Sequence, residues 1–289
     1  MENMKLTIGM AAFDDFDGVY FSIQAIRMFH PEVANNIEFL IIDNNPNSAH
    51  GQETKNFCNH VQNIKYIPFE KYKSTSIRNK IFEYASHPYV LSMDCHVFFE
   101  AGSLKKLIHY YSSNPNTDNL LQGPLLYDNL QGIASHFDPV WRSQMYGVWE
   151  TDKRALNKDA EPFEIPMQGL GVFSCKKDSW LGFNSLFKGF GGEEGYIHEK
   201  FRKNGHKALC LPFLRWTHRF ARPNGVKYPL LLNDKIRNYF IGHIELGMNP
   251  QPIIDHFKEW KPEKELINLY EATLKEINAF EVFRSSQKL

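Results

Sequence analysis

Strand-like and helical runs alternate three times in the first hundred residues, and no other property of this chain restricts its fold as much. Lys5 to Ala12 and Ile37 to Ile42 read as buried strands, Ile64 to Ile67 as a short one, and Tyr89 to Met93 as a fourth. Between them lie helical stretches: Val19 to Phe29, with Ile23, Ile26 and Phe29 on one side, Gln52 to Val61, and Ser76 to Ala85 with Ser74 or Thr75 as its N-cap. Strands separated by crossover helices pair in parallel, so the expected class is α/β with a mostly parallel central sheet. Ligands of such sheets gather beyond the carboxyl ends of the strands. Two polar clusters stand there: Asp43-Asn44-Asn45, and Asp94 with His96.

The pattern loosens after residue 120. Asn129 to Pro166 reads as loops, short strands and one helix at most, and Met167 to Ser174 as a strand. A glycine turn, Gly189-Phe190-Gly191-Gly192, leads through Glu193 and Glu194 into a helix from about Gly195 to Lys203. Lys207 to Leu211 is a further strand, and Pro262 to Phe280 an amphipathic helix with Leu266, Leu269, Tyr270, Leu274 and Ile277 on one face. The economical division is one unit over residues 1–245, with halves meeting near 120, and a helical extension over 246–289.

Several chemistries are disfavoured by what is missing. There is no Walker A run, no Gly-x-Ser-x-Gly and no His-Glu-x-x-His, and Glu194 stands where a dinucleotide fingerprint needs its third glycine. Lys+Arg and Asp+Glu both number 33, so a general polyanion binder is not expected. Cys58, Cys95, Cys175 and Cys210 lie far apart, which suits reduced thiols better than a disulfide framework. No run approaches the ~20 apolar residues of a membrane span, and a soluble, cytoplasmic protein is the expectation.

Asp94-x-His96 is the centre of the functional reading. In an extended segment residues two apart face the same way, so the carboxylate and imidazole could share one ion. One oxygen and one nitrogen donor suit Mn²⁺ or a similar divalent ion better than Ca²⁺. His218 is the leading candidate for a third ligand, although a structural role would explain it equally simply. Glu193 and Glu194 suit the first turn of a helix, where the macrodipole favours negative charge, and equally a carboxylate held at an active-site rim.

Taken in order, these motifs resemble the nucleotide-sugar glycosyltransferases of the GT-A fold, and more narrowly the polypeptide N-acetylgalactosaminyltransferases and related retaining enzymes. The resemblance is carried by Phe39 to Ser48, by Ser76 to Val97 with its Asp-x-His, and by Gln168 to Phe173. It continues through Gly191-Gly192-Glu193-Glu194 and Trp216-Thr217-His218-Arg219-Phe220-Ala221-Arg222, spanning roughly residues 5 to 245. It implies a UDP-sugar donor, Mn²⁺ held by Asp94, His96 and His218, and transfer to a hydroxyl of a protein, glycan or modified nucleic acid, with retention. Asp43 would then contact the uridine, Ala11 to Phe13 would wall its pocket, and Arg78 would support the nucleotide. Glu193 would orient donor or acceptor, or it or Glu194 would act as base in an inverting course. A loop over Ala221 to Pro229 would bring Arg222 and Lys227 to the phosphates.

Nothing after residue 250 is long enough for the lectin domain of the secretory enzymes, so a hexosyl- or N-acetylhexosaminyltransferase outside the secretory route is expected. The alternatives are a non-catalytic carbohydrate-binding or scaffold protein on the same fold, and a nucleotidyltransferase. The second needs a basic, glycine-rich loop where this chain has Met10-Ala11-Ala12-Phe13-Asp14-Asp15. Trp141, Trp149 and Trp216 are candidates for a sugar platform or for core.

Overall fold

The computed structural model describes residues 4–221 and 225–286. The opening alternation is present as β1 (Leu6–Ala12), α1 (Phe16–Phe29), β2 (Ile37–Asp43), α2 (Ala49–His60), β3 (Ile64–Pro68), α3 (Asn79–Tyr84) and β4 (Tyr89–Met93). The third helix starts later than its periodicity suggests, because Thr75–Arg78 forms a tight 3₁₀ turn ahead of it. The Ser74 hydroxyl caps that turn by accepting from the Ser76 N–H at 3.1 Å. Then come β5 (Val97–Phe99), α4 (Ser103–Ser113), β6 (Leu120–Gln122), β7 (Leu125–Leu126), β8 (Ile133–Ala134), β9 (His136–Arg142), β10 (Met145–Glu150) and β11 (Phe163–Glu164). The chain continues with β12 (Val172–Lys176), α5 (Glu193–Lys203), β13 (Ala208–Cys210), β14 (Trp216–His218), α6 (Leu232–Glu245), α7 (Gln251–Phe257) and α8 (Glu263–Ser286).

Among the described residues the main sheet has eight strands in the order β11-β13-β6-β12-β4-β1-β2-β3. Pairs β1–β2, β1–β4, β2–β3 and β6–β13 are parallel, while β12 enters antiparallel between β4 and β6. A smaller sheet, β5-β14-β7-β8, and a β9–β10 hairpin stand beside it. One face of the main sheet sends Leu6, Ile8 and Met10 against Val19, Ile23 and Ile26 of α1 and Leu104 and Leu107 of α4. The other sends Leu40, Ile42, Val90 and Phe173 against Ile81 and Phe82 of α3 and Ile197 and Phe201 of α5. Burying each such side chain contributes about 1.5–3 kcal/mol. Gly9 lets α3 sit directly on β1, since a Cβ there would lie 2.0 Å from Ile81 Cγ2. A third cluster, Ile236, Phe240, Ile253, Phe257 and Leu266, seats α7 and α8 on α6.

Two expected boundaries move. The strand read from Met167 begins only at Val172, because Met167 makes an isolated bridge to Phe137 and Leu170 and Gly171 turn, with Gly171 against the Trp216 ring. The hairpin β9–β10 lies inside the stretch read as irregular. Its register shifts between Tyr146 and Val148, and Asp138, Pro139 and Val140 are exposed, so no clean alternation marks it.

Candidate active site

Parallel pairing brings the carboxyl ends of β1, β2 and β4 to one edge of the sheet, with Ala12 level with Asp43 and Met10 level with Met93. Asp94 is the first residue past β4, and its N–H donates to the Gly171 carbonyl at 2.8 Å. Residues 94–96 are not extended, as the two-residue spacing assumed; Cys95 and His96 make a turn before β5. The imidazole still returns to the carboxylate. β14 lies antiparallel to β5 with His218 opposite Val97, and the Arg219 N–H donates to the His96 carbonyl at 3.1 Å.

Asp94, His96 and His218 therefore present ligand atoms that all lie within 4.8 Å of one another. His96 Nε2 stands 3.1 Å from His218 Nε2, which stands 3.3 Å from Asp94 Oδ2. Ligands about 2.1 Å from an ion and at right angles around it would be about 3 Å apart, so the spacing fits one divalent cation. The donor set, one carboxylate and two imidazoles, suits Mn²⁺ or its first-row neighbours.

Behind this trio the Arg78 guanidinium is buried between two acids. Nη2 donates to Asp94 Oδ1 at 3.0 Å, and Nη1 lies 3.5 Å from Glu193 Oε1. Burial pushes the Asp94 carboxyl up, but Arg78 and the two imidazoles outweigh it and hold the group well below the usual range. Glu193 goes the other way, pushed up to about 8 by burial and by Glu194, against the pull of Arg78. Glu194 is raised as well, chiefly by burial. The helix carrying both acids starts at Glu193, two residues before the expected start. Its cap, Gly192, has φ 88°, a left-handed conformation that favours glycine. Glu193 is 1% exposed, and its Oε2 has no hydrogen-bond partner among the described residues.

One cavity of about 370 Å³ collects Asp94, His96, His218, Arg78, Glu193 and Glu194. Ala11 and Phe13 line it, together with Trp149 and Trp216. Trp216 is also core, 1% exposed, with its indole N–H on the Gly123 carbonyl at 2.7 Å. Trp141 packs instead on Tyr239, His256 and Phe257, among the C-terminal helices. Asp43 is buried outside the cavity lining, its carboxylate accepting from the Tyr66 hydroxyl at 2.8 Å and the Asn45 N–H at 3.0 Å. Lys227 is exposed and also outside the lining, and Arg222 lies outside the described residues.

Sequence reasoning missed Tyr228, which faces the cavity between Phe13, at a ring separation of 5.1 Å, and Phe190, at 5.8 Å. Burial raises its phenol to about 12. An aromatic inside a polar, turn-rich stretch was the available signal. Asp15 was also missed; its position directly ahead of an amphipathic helix marks an N-cap, but nothing local marks its contact with His96.

Solved structures share this architecture. GalNAc-T7 with UDP, GalNAc and Mn²⁺ is similar at a TM-score of 0.66 and 15% identity, over 84% of this chain and 48% of that one. TarS 1–349 of S. aureus is similar at 0.55 and 12%, over 94% of this chain and 71% of that one. The same TarS fragment in complex with UDP gives 0.53 and 13%, over 89% and 70%. The chain spans about half the length of the GalNAc-T7 structure. No curated protein matches it in sequence. The fold is that of the GT-A nucleotide-sugar glycosyltransferases. Residues 8–176, more than half of the length, match glycosyl transferase family 2, and the chain belongs to that family.

Proposed function

We propose that this chain transfers a hexosyl or N-acetylhexosaminyl group from a UDP-sugar to a hydroxyl acceptor, with a divalent cation of the Mn²⁺ type. One observation carries the reading: three ligand atoms converge at the sheet's carboxyl edge, in the same cavity as Arg78 and Glu193. A cation held by Asp94, His96 and His218 would offset the negative charge that builds on the departing diphosphate. Arg78 keeps Asp94 ionised and braces it from behind. Ala11 and Phe13 would wall the uridine, with Asp43 serving that end from the neighbouring strand. Glu193, with Oε2 unpartnered among the described residues, would hold a hydroxyl of the donor or acceptor, and Glu194 would stand beside it. Lys227 would reach the phosphates from the stretch before α6.

The Asp-x-His pair, with its likeness to the retaining polypeptide transferases, supports retention, the departing phosphate oxygen taking the acceptor proton. Residues 1–245 would form the catalytic unit, braced by the helices after 246.

UDP with Mn²⁺ is expected to raise the melting temperature, since ligand at 100 times its Kd adds about 2.7 kcal/mol. Asp94→Ala and His218→Ala should abolish that rise; a full rise in both removes the metal assignment. A panel of UDP-sugars with Mn²⁺, read by UDP release, then identifies the donor, and NMR of the product's anomeric proton reads the stereochemistry. A chain that binds UDP and Mn²⁺ but releases UDP from no sugar would be a binding protein on this fold.

A further inference from the structure

Asp15 stands outside the ligand trio, yet it holds one of the trio's two imidazoles. As N-cap of α1, it accepts from the Gly18 N–H through Oδ1 at 3.2 Å. Its other oxygen, Oδ2, lies 2.7 Å from His96 Nδ1, and Arg219 Nη2 approaches Oδ1 to 3.6 Å. The side chain is 11% exposed. An ionised carboxylate can only accept, so Nδ1 carries the hydrogen in this contact and Nε2 keeps its lone pair. That lone pair lies on the side of His218 Nε2 and Asp94.

We infer that Asp15 is the positioning residue of the cation site: it fixes the ring plane and tautomer of His96 so that Nε2 is offered to the ion. A carboxylate behind a metal-ligating histidine also raises the basicity of the ligand nitrogen. Arg219, next in the chain to His218, also approaches this carboxylate, at 3.6 Å. The helix cap makes the brace rigid, because Asp15 is fixed by the first turn of α1 whether or not an ion is bound. The acidic run after β1, which speaks against a nucleotidyltransferase loop, thus acquires a use of its own.

The inference rests on the metal reading of the preceding subsection, and the experiment separates the two. Asp15→Asn and Asp15→Ser both remain good helix caps. Asn keeps a neutral acceptor near His96, whereas Ser is too short to reach it. Mn²⁺ binding to the full chain, measured by EPR without nucleotide, is compared across wild type and both variants, alongside metal-free melting temperatures and the ¹⁵N shifts of His96. The expected result is little change in metal-free melting. Mn²⁺ affinity should fall within the about 10–100-fold range of second-shell changes, more in Asp15→Ser than in Asp15→Asn. The His96 Nδ1-H tautomer should lose population in the same order. Wild-type Mn²⁺ affinity in Asp15→Ser, or equal losses in both variants, overturns the positioning role. A wild-type chain that binds no Mn²⁺ overturns the metal reading instead.

Discussion

Arg78 divides the site into two regions that treat a buried carboxyl in opposite ways. At the end of β4, Asp94 takes the 3.0 Å contact with the guanidinium and has two imidazoles beside it. At the start of α5, Glu193 takes the longer 3.5 Å contact and has another acid as its neighbour. Burial pushes both groups towards the neutral form. Only at Asp94 do the nearby charges reverse it. The difference teaches how one cation can serve two carboxyls differently: the strand-end acid is held towards the anion that a metal needs, while burial and a neighbouring acid push the helix-start acid towards its protonated form.

The strongest way to break this contrast is to neutralise its anionic side. Asp94→Asn keeps the shape but removes a ligand charge and leaves Arg78 only a neutral acceptor. Its loss of Mn²⁺ affinity should exceed the about 10–100-fold that outer-shell changes cost, with turnover of any UDP-sugar substrate falling in step. Calorimetry or EPR for the metal and UDP release for turnover check this. Near-normal metal binding would place the ion elsewhere.

Removing the divider itself should cost stability. Arg78→Met leaves Asp94 and Glu193 without their common partner, and losing one member of a buried ion pair destabilises by about 3–5 kcal/mol. At about 2–4 °C per kcal/mol, thermal melting should drop on the order of 10 °C. Adding Asp94→Asn should recover part of it, because Asp94 is the anion that Arg78 leaves unpaired, whereas Glu193→Gln should recover little. An Arg78→Met/Asp94→Asn double variant as unstable as the sum of the singles would mean that the Arg78–Asp94 contact contributes nothing.

The two regions also differ in how far the sequence reveals them. The β4 side was legible because β1, β2 and β4 are buried on both faces and read as near-continuous apolar runs, ending where Asp43 and Asp94 begin. His218 could be suspected only from motif order; its approach to Asp94 depends on β14 pairing with β5, which no local pattern encodes. Asp15 was invisible for the same reason, being 81 residues from the histidine it holds. The α5 side was half legible. Its glycines announced a turn, but the helix starts earlier than expected because Gly192 itself serves as the left-handed cap. In the loop ahead of α6, polar composition drew attention to Lys227, whereas the pair of rings at Phe13 and Phe190 draws Tyr228 inward instead.

That cap offers a smaller perturbation. At Gly192→Ala the new Cβ would lie 3.1 Å from Asn238 Cβ on a backbone with φ 88°, so both strain and crowding oppose it. The left-handed conformation alone costs roughly 1–2 kcal/mol for a residue with a Cβ, and melting should fall by a few degrees. Mn²⁺ affinity should stay near wild type, because the ligands lie in the segment just after β4 and on β14. A metal defect as large as that of Asp94→Asn would show that the two regions are not separable.

The most local test reads the proton on Glu193 directly. A carboxyl whose pKa rises from 4.5 when unfolded to about 8 when folded binds more protons in the native state between those values, so its contribution to stability falls as pH rises through that window. The groups acting on it are Arg78, Glu194 and, across the cavity, the Tyr228 phenol, with Tyr239 behind α5. Glu193→Gln resembles the protonated acid and has nothing to lose. Its melting temperature should sit close to wild type near pH 5 and above it near pH 8, in buffer free of divalent ions. Parallel wild-type and variant curves over that range would mean that Glu193 is ionised beside Arg78, and the contrast between the two sides of the guanidinium would disappear.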